Sequence, residues 1–287
     1  MQNLKTTVRI AWLQVGRLLP IRLRIVFWLA ILSLTTGAPF AVPLLGAEWE
    51  DRAASKLISI TEKFGVPVVV RDPGFPVRIS TGFIDGKEST PEQVLQYAAI
   101  FVPEFSYYPV EFVHRTGLRR IVLCEALSFS GQLRTALPDF ENQTLYLDVA
   151  RGTNNSIYTR TVIHHEFFHL VDYADDGSVY RDDEWSSLNP GSFRYGDGGK
   201  NAQANRNTSV LTDQYPGFLN HYSTTGVEED KAEIFANLMV RPAYLERVIQ
   251  TDPLLATKVS QMKRLLSRFS KDLDESFWKS TRNSASP

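Results

Sequence analysis

The sequence predicts an α+β fold, with a small mixed sheet first and a mostly helical C-terminal half after it. Three observations carry that prediction. Strand-like runs bounded by turn residues fall at 66–70, 120–124 and 144–149. Helical periodicity marks 156–173 and most of the chain from 229 to 270. Hydrophobic residues make up 43% of the 287 residues and charged residues 22%, the balance of a globular chain rather than a disordered, collagen-like or multi-span membrane one.

The elements follow in order. Residues 1–47 contain Lys5, Arg9, Arg17, Arg22 and Arg24 and no acid. A basic start, an apolar run from Val26 and small residues before the first acid, Glu48, have the form of a secretory signal. Cleavage is expected after Ala47, because Ala38 is followed by Pro39. Residues 25–47 are also long enough to span a bilayer, so an uncleaved membrane anchor is the other outcome. The organisation is therefore a leader, 1–47, and one domain, 48–287. The domain is expected outside the cytoplasm: periplasmic, secreted or membrane-anchored.

In the domain, 50–64 reads as an amphipathic helix ended by Gly65, and Val66–Val70 as a strand. Thr90-Pro91-Glu92-Gln93 has capping-box spacing with proline at the first helical position, opening a helix to about Phe101, before Pro103. Strands are expected at Arg120–Cys124 and Thr144–Val149, then a helix from Ser156 to about Tyr173. Residues 174–217 have weak periodicity and read as a long loop. Helices are expected at 229–241, stopped by Pro242, and at 243–250 and 253–270, with a frayed tail from Ser280.

Composition narrows the chemistry. A net charge of −1 leaves no basic footprint for nucleic acid. The leader holds five of the 31 basic residues, so 48–287 carry 26 against 32 acidic ones. One cysteine excludes an internal disulfide framework and any multi-cysteine metal site. A metal would have to be held by His and carboxylates.

The helix at 156–173 contains His165-Glu166-Phe167-Phe168-His169. Two His at i and i+4 share a helix face and can reach one ion. Glu166 beside them can act on a metal-activated water as general base. Zinc suits this set: it lowers the pKa of bound water and polarises the carbonyl under attack. His164, one position off, is turned about 100° away and reads as a non-ligand. Asp172 reads as a hydrogen-bonding group near the helix end, and the acids at 175–184 as solvated, since they lack calcium-loop spacing.

A catalytic zinc needs a third protein ligand. Glu229 and Glu233 are i and i+4 on the next strong helix, where two like charges repel unless a cation resolves them. Glu229 is the expected third ligand. Glu233 is the expected carboxylate behind the ligands, accepting the far N–H of His165 and so orienting its ring.

HEFFH followed 60 residues after His169 by Glu-x-x-Ala-Glu-x-Phe (229–235) resembles the gluzincin branch of the zincin metallopeptidases. It is similar to the catalytic domain of anthrax lethal factor and related zinc-binding metallopeptidases. Tyr222, seven residues before Glu229, matches a tyrosine of that group. Asp230 and Lys231 depart from it, standing where lethal factor has aromatics.

The resemblance implies a zincin-like fold with one zinc per chain. His165, His169 and Glu229 would be its ligands, Glu166 the general base, and Tyr222 a stabiliser of the oxyanion with His221 as substitute donor. It implies a peptide or protein substrate lying as an added strand along a sheet edge at Thr144–Val149. Trp185, Phe193 and Tyr195, among glycines, read equally as a flap over the cleft and as aromatics covering the core. The resulting expectation is an exported zinc peptidase that meets a membrane only through its leader. The rival readings are a non-catalytic zincin-fold binding module and an envelope protein in which the motif is coincidental.

Overall fold

The computed structural model describes residues 44–151, 153–196, 198 and 209–284. The chain divides into two compact units, Met1–Glu48 and Trp49–Pro287. The expected leader lies outside the described residues except for its last four, which open the first helix. Among the described residues no helix is long and apolar enough to cross a membrane.

The elements are α1 (Leu44–Phe64), β1 (Val68–Val69), β2 (Val77–Ile79), β3 (Gly82–Lys87), α2 (Pro91–Phe105), α3 (Val110–Arg115), β4 (Arg120–Phe129), β5 (Gln132–Leu133), β6 (Ala136–Asp139), β7 (Thr144–Asp148), α4 (Ser156–Asp176), α5 (Asp183–Ser186), a 3-10 turn at Tyr222–Thr224, α6 (Val227–Val240), α7 (Pro242–Val248), α8 (Pro253–Phe269) and α9 (Glu275–Ser284). A mixed β-sheet is followed by a largely helical region, the expected α+β, zincin-like architecture. The sheet runs β2-β3-β4-β7-β6, with β1 and β5 also pairing with β4. β4 and β7 are parallel, in the register Leu123↔Leu147, while β6 and β7 are antiparallel.

The sheet is covered on both faces, and period-2 alternation divides its residues between them. Ile121, Leu123, Leu145 and Leu147 join the main core with the helices. Val122, Cys124 and Tyr146 join a smaller cluster with Ile84 and Leu127 on the other face.

Several expectations change. Thr144–Asp148 is an interior strand, because β6 pairs along its outer side. Pro138 hides β6 from sequence reading, yet proline is tolerated on an outer strand, where a missing ladder N–H is harmless. α2 runs through Pro103 to Phe105. An interior proline costs about 3 kcal/mol, and fully burying each of Phe101 and Phe105 returns a similar amount. The tail from Ser280 is helical to Ser284, because Phe277 and Trp278 are buried and anchor α9. Within 174–217, α5 buries Trp185.

Candidate metal centre

Two helices build the centre. Asn155 caps the start of α4, its side chain accepting from the Tyr158 amide at 3.0 Å. It ends at Gly177, whose φ of 78° is the left-handed conformation glycine adopts without strain. Phe167 and Phe168 are fully buried in the aromatic core, which fixes the rotation of α4 and sets His165 and His169 on one buried face. All 14 residues of α6 are buried, charged ones included, so it is a core element rather than a solvated helix.

Glu229 and Glu233 project from α6 to either side of His165. His165 Nε2 lies 2.9 Å from Glu229 Oε2, and its Nδ1 lies 3.1 Å from Glu233 Oε1. The imidazole thus separates the two like charges. Glu233 also accepts from Asn220 Nδ2 at 2.8 Å, and Asn220 in turn accepts from the Ser223 amide and hydroxyl. Asn220 carries no sequence signal: it is recognised only by the hydrogen bonds it makes.

His169 Nε2 is 3.7 Å from Glu229 Oε2, and the two imidazole centroids are 4.9 Å apart. One ligand atom from each of His165, His169 and Glu229 falls within a mutual distance of 4.8 Å. A tetrahedral ion with bonds of about 2.0–2.1 Å holds its ligands about 3.3 Å apart, so the spacings bracket the requirement. The Nδ1 of His169 is buried with no hydrogen-bond partner. That ring therefore draws its polar contact from the cluster side. The three residues fit a metal ion, and the donor set of two imidazoles and one carboxylate suits a transition metal over calcium or magnesium.

The electrostatics agree with the crowding. Burial alone would raise the Glu229 carboxyl, but its hydrogen bonds to His165 and His169 hold it far below the usual carboxylate range. Burial raises Glu166, against the pull of the two imidazoles. Tyr222 Oη donates to Glu229 Oε1 at 2.8 Å, fixing the carboxylate so that Oε2 faces the imidazoles. A cleft of about 490 Å³ beside the cluster is lined by Glu166, His169, Glu229 and Tyr222, with β6 and Arg134 also on its wall.

The remaining candidates lie elsewhere. His164 is fully buried: Tyr108 Oη donates to its Nδ1, and its Nε2 bonds to Glu104 at 2.9 Å. Asp172 is not a helix-end group, because it forms a buried ion pair with Lys231, whose Nζ also reaches Asp182 at 2.8 Å. Asp182 and Glu184 are likewise engaged rather than merely solvated, Glu184 through Gln261 at 2.6 Å. Trp185 and Tyr195 donate to Asp230, and Phe193 stacks on Phe218, so these three aromatics cover the core. His221 packs on Tyr215 and does not line the cleft.

Neither a protein-family model nor a curated protein matches the sequence. Among solved structures, the chain is similar to a protein from Bacteroides caccae described as a candidate zinc-binding metallo-peptidase. The TM-score is 0.52 at 16% identity, covering 86% of this chain and 95% of that one. At that identity the likeness is one of fold alone. The chain thus shares the fold of a protein named for zinc binding, and its own His165, His169 and Glu229 form a cluster consistent with a zincin-type metal site.

Proposed function

We propose that the protein is an exported zinc-dependent peptide hydrolase of the gluzincin type. One observation carries the reading: Glu166 lines one cleft together with His169 and Glu229, two members of the His165, His169 and Glu229 cluster. A structural metal site has no use for a carboxylate held there without being a ligand.

His165, His169 and Glu229 would hold the zinc, one ion per chain. When bound, it supplies Lewis acidity that polarises a carbonyl and makes water acidic enough to be deprotonated near neutral pH. Glu166 accepts the proton of the attacking water and delivers it to the leaving amine. Its raised pKa, caused by burial, suits a group that must both take and give a proton. Glu233, steadied by Asn220, keeps the His165 ring in place through Nδ1. Tyr222, released from Glu229, donates to the oxygen that gains negative charge. The free side of β6 takes the peptide as an added strand, in place of the interior strand β7.

Metal analysis of the purified protein, paired with a peptide-library cleavage assay, tests the proposal. Wild type should contain about one zinc and lose cleavage on chelation. Glu166→Gln should keep the zinc and lose activity by at least about a thousandfold. Normal cleavage by that variant overturns the mechanism, and a zinc-loaded wild type that cleaves no library peptide overturns the enzymatic reading.

A further inference from the structure

Apart from Glu166, which the proposed reaction uses as its base, the buried carboxylates around the cluster are matched to cations or hydrogen-bond donors, with Glu228 standing out among them. Glu229 is held by two imidazoles and Tyr222, and Glu233 by His165 and Asn220. Asp230 pairs with Lys258 at 2.8 Å, and Asp172 and Asp182 share Lys231. Glu228 is only 7% exposed, yet among the described residues no cation pairs with it. Its carboxylate turns back onto its own backbone amide.

Room for that carboxylate is built in. A Cβ at Gly226 would come within 2.6 Å of the Glu228 carboxyl carbon, and one at Gly198 within 3.3 Å of Oε1. Glu228 lines the cleft beside the cluster and also a second cavity of about 300 Å³ that adjoins it. Tyr180, Asp182, Ser186 and Tyr195 form much of the second wall. Arg181 is there too, but its guanidinium is taken by Asp183 at 2.7 Å. A half-enclosed space with an unmatched buried carboxylate and two aromatic rings suits a cation on an apolar stem.

We propose that this second cavity takes a basic side chain of a peptide substrate, with Glu228 as the carboxylate that pairs with its cation. Glu228 is then a specificity-determining residue. The assignment rests on the peptide-hydrolase reading for the identity of the ligand. A free peptide N-terminus presents the same chemistry as a lysine side chain, but a cavity of about 300 Å³ has the volume for a whole side chain, which favours lysine or arginine.

Binding to the full-length, zinc-loaded Glu166→Gln protein separates the two proposals, because it needs no turnover. The probes are N-acetylated Gly/Ala octapeptides carrying a single lysine, or a single norleucine, at each position in turn. At one position lysine should bind at least about tenfold tighter than norleucine, as expected for one desolvated ion pair. Adding Glu228→Gln should abolish that preference. Gly226→Ala, whose backbone is extended and open to alanine, should weaken it by displacing the carboxylate without removing its charge.

Equal binding of the two series at every position, or a preference that survives Glu228→Gln, overturns the assignment. So does a preference seen only with unacetylated peptides, which would place the N-terminus at Glu228. If the lysine preference holds and wild type cleaves nothing, the hydrolase reading fails and the cavity assignment stands.

Discussion

At the residue scale, His165 organises the centre, because each ring nitrogen faces its own glutamate. The i, i+4 spacing within His165/His169 and within Glu229/Glu233 made all four visible in the sequence, since a helix repeat fixes which side chains share a face. What the spacing could not give is which oxygen meets which nitrogen, or that Tyr222 rests on Glu229. Glu228 and Glu229 are adjacent acids that only their directions distinguish. Glu229→Ala should lower zinc affinity by orders of magnitude, whereas Glu228→Ala should leave the metal content near that of wild type. Competition with a chromophoric chelator checks both, and equal retention would remove Glu229 from the ligand set.

At the element scale, α6 is a fully buried helix although it carries four acids and a lysine. Asp230 and Lys231 are tolerated inside because Lys258 and Asp172 reach them from α8 and α4. Removing one member leaves an uncompensated charge, which costs about 3–5 kcal/mol. Lys231→Met should lower the urea-unfolding free energy by that order, and Asp172→Asn on top should recover part of the loss. A Lys231→Met variant as stable as wild type would show that the pair does not hold the helices together.

α2 and α4 are joined by a second polar device. Burial would raise the Glu104 carboxyl, but His164 and Arg160, the latter at 2.6 Å, bring it below its ordinary value. Burial keeps His164 toward its neutral form. A carboxyl whose folded pKa is depressed contributes stability above its unfolded pKa of about 4.5, and that stability is lost as pH falls through the folded value. Glu104→Gln should therefore be less stable than wild type near about pH 6 and lose less melting temperature on acidification to about pH 3.5. A parallel fall in both proteins would remove Glu104 from the acid response.

At the scale of the whole molecule, the leader and the domain raise separate questions. The basic, acid-free 1–47 segment supports export, and the N-terminus of the protein recovered from outside the cytoplasm reports on it. A start at Glu48 is expected. Recovery only from the cytoplasm with Met1 intact would end the export reading. Within the domain, β1, β4, β7 and most helices were legible, because their patterns are local: β-branched runs, caps at Thr90 and Asn155, and glycine stops, whereas β2, β3, β5 and β6 were not.

Legibility failed where distant chain segments set the outcome. β6 contains Pro138 and looks like a turn until β7 pairs with it; α2 passes through Pro103 because Phe101 and Phe105 are buried on the core side. The sequence by itself determined the α+β plan and the metal-competent set of His165, His169 and Glu229, since helical periodicity and donor chemistry are written into neighbouring residues. Only the tertiary structure decided that α4 and α6 bring those donors together, that β6 rather than β7 flanks the cleft, and that Glu228 is buried with no cation paired to it among the described residues. Those outcomes depend on contacts between residues far apart in the chain, and no local pattern encodes them.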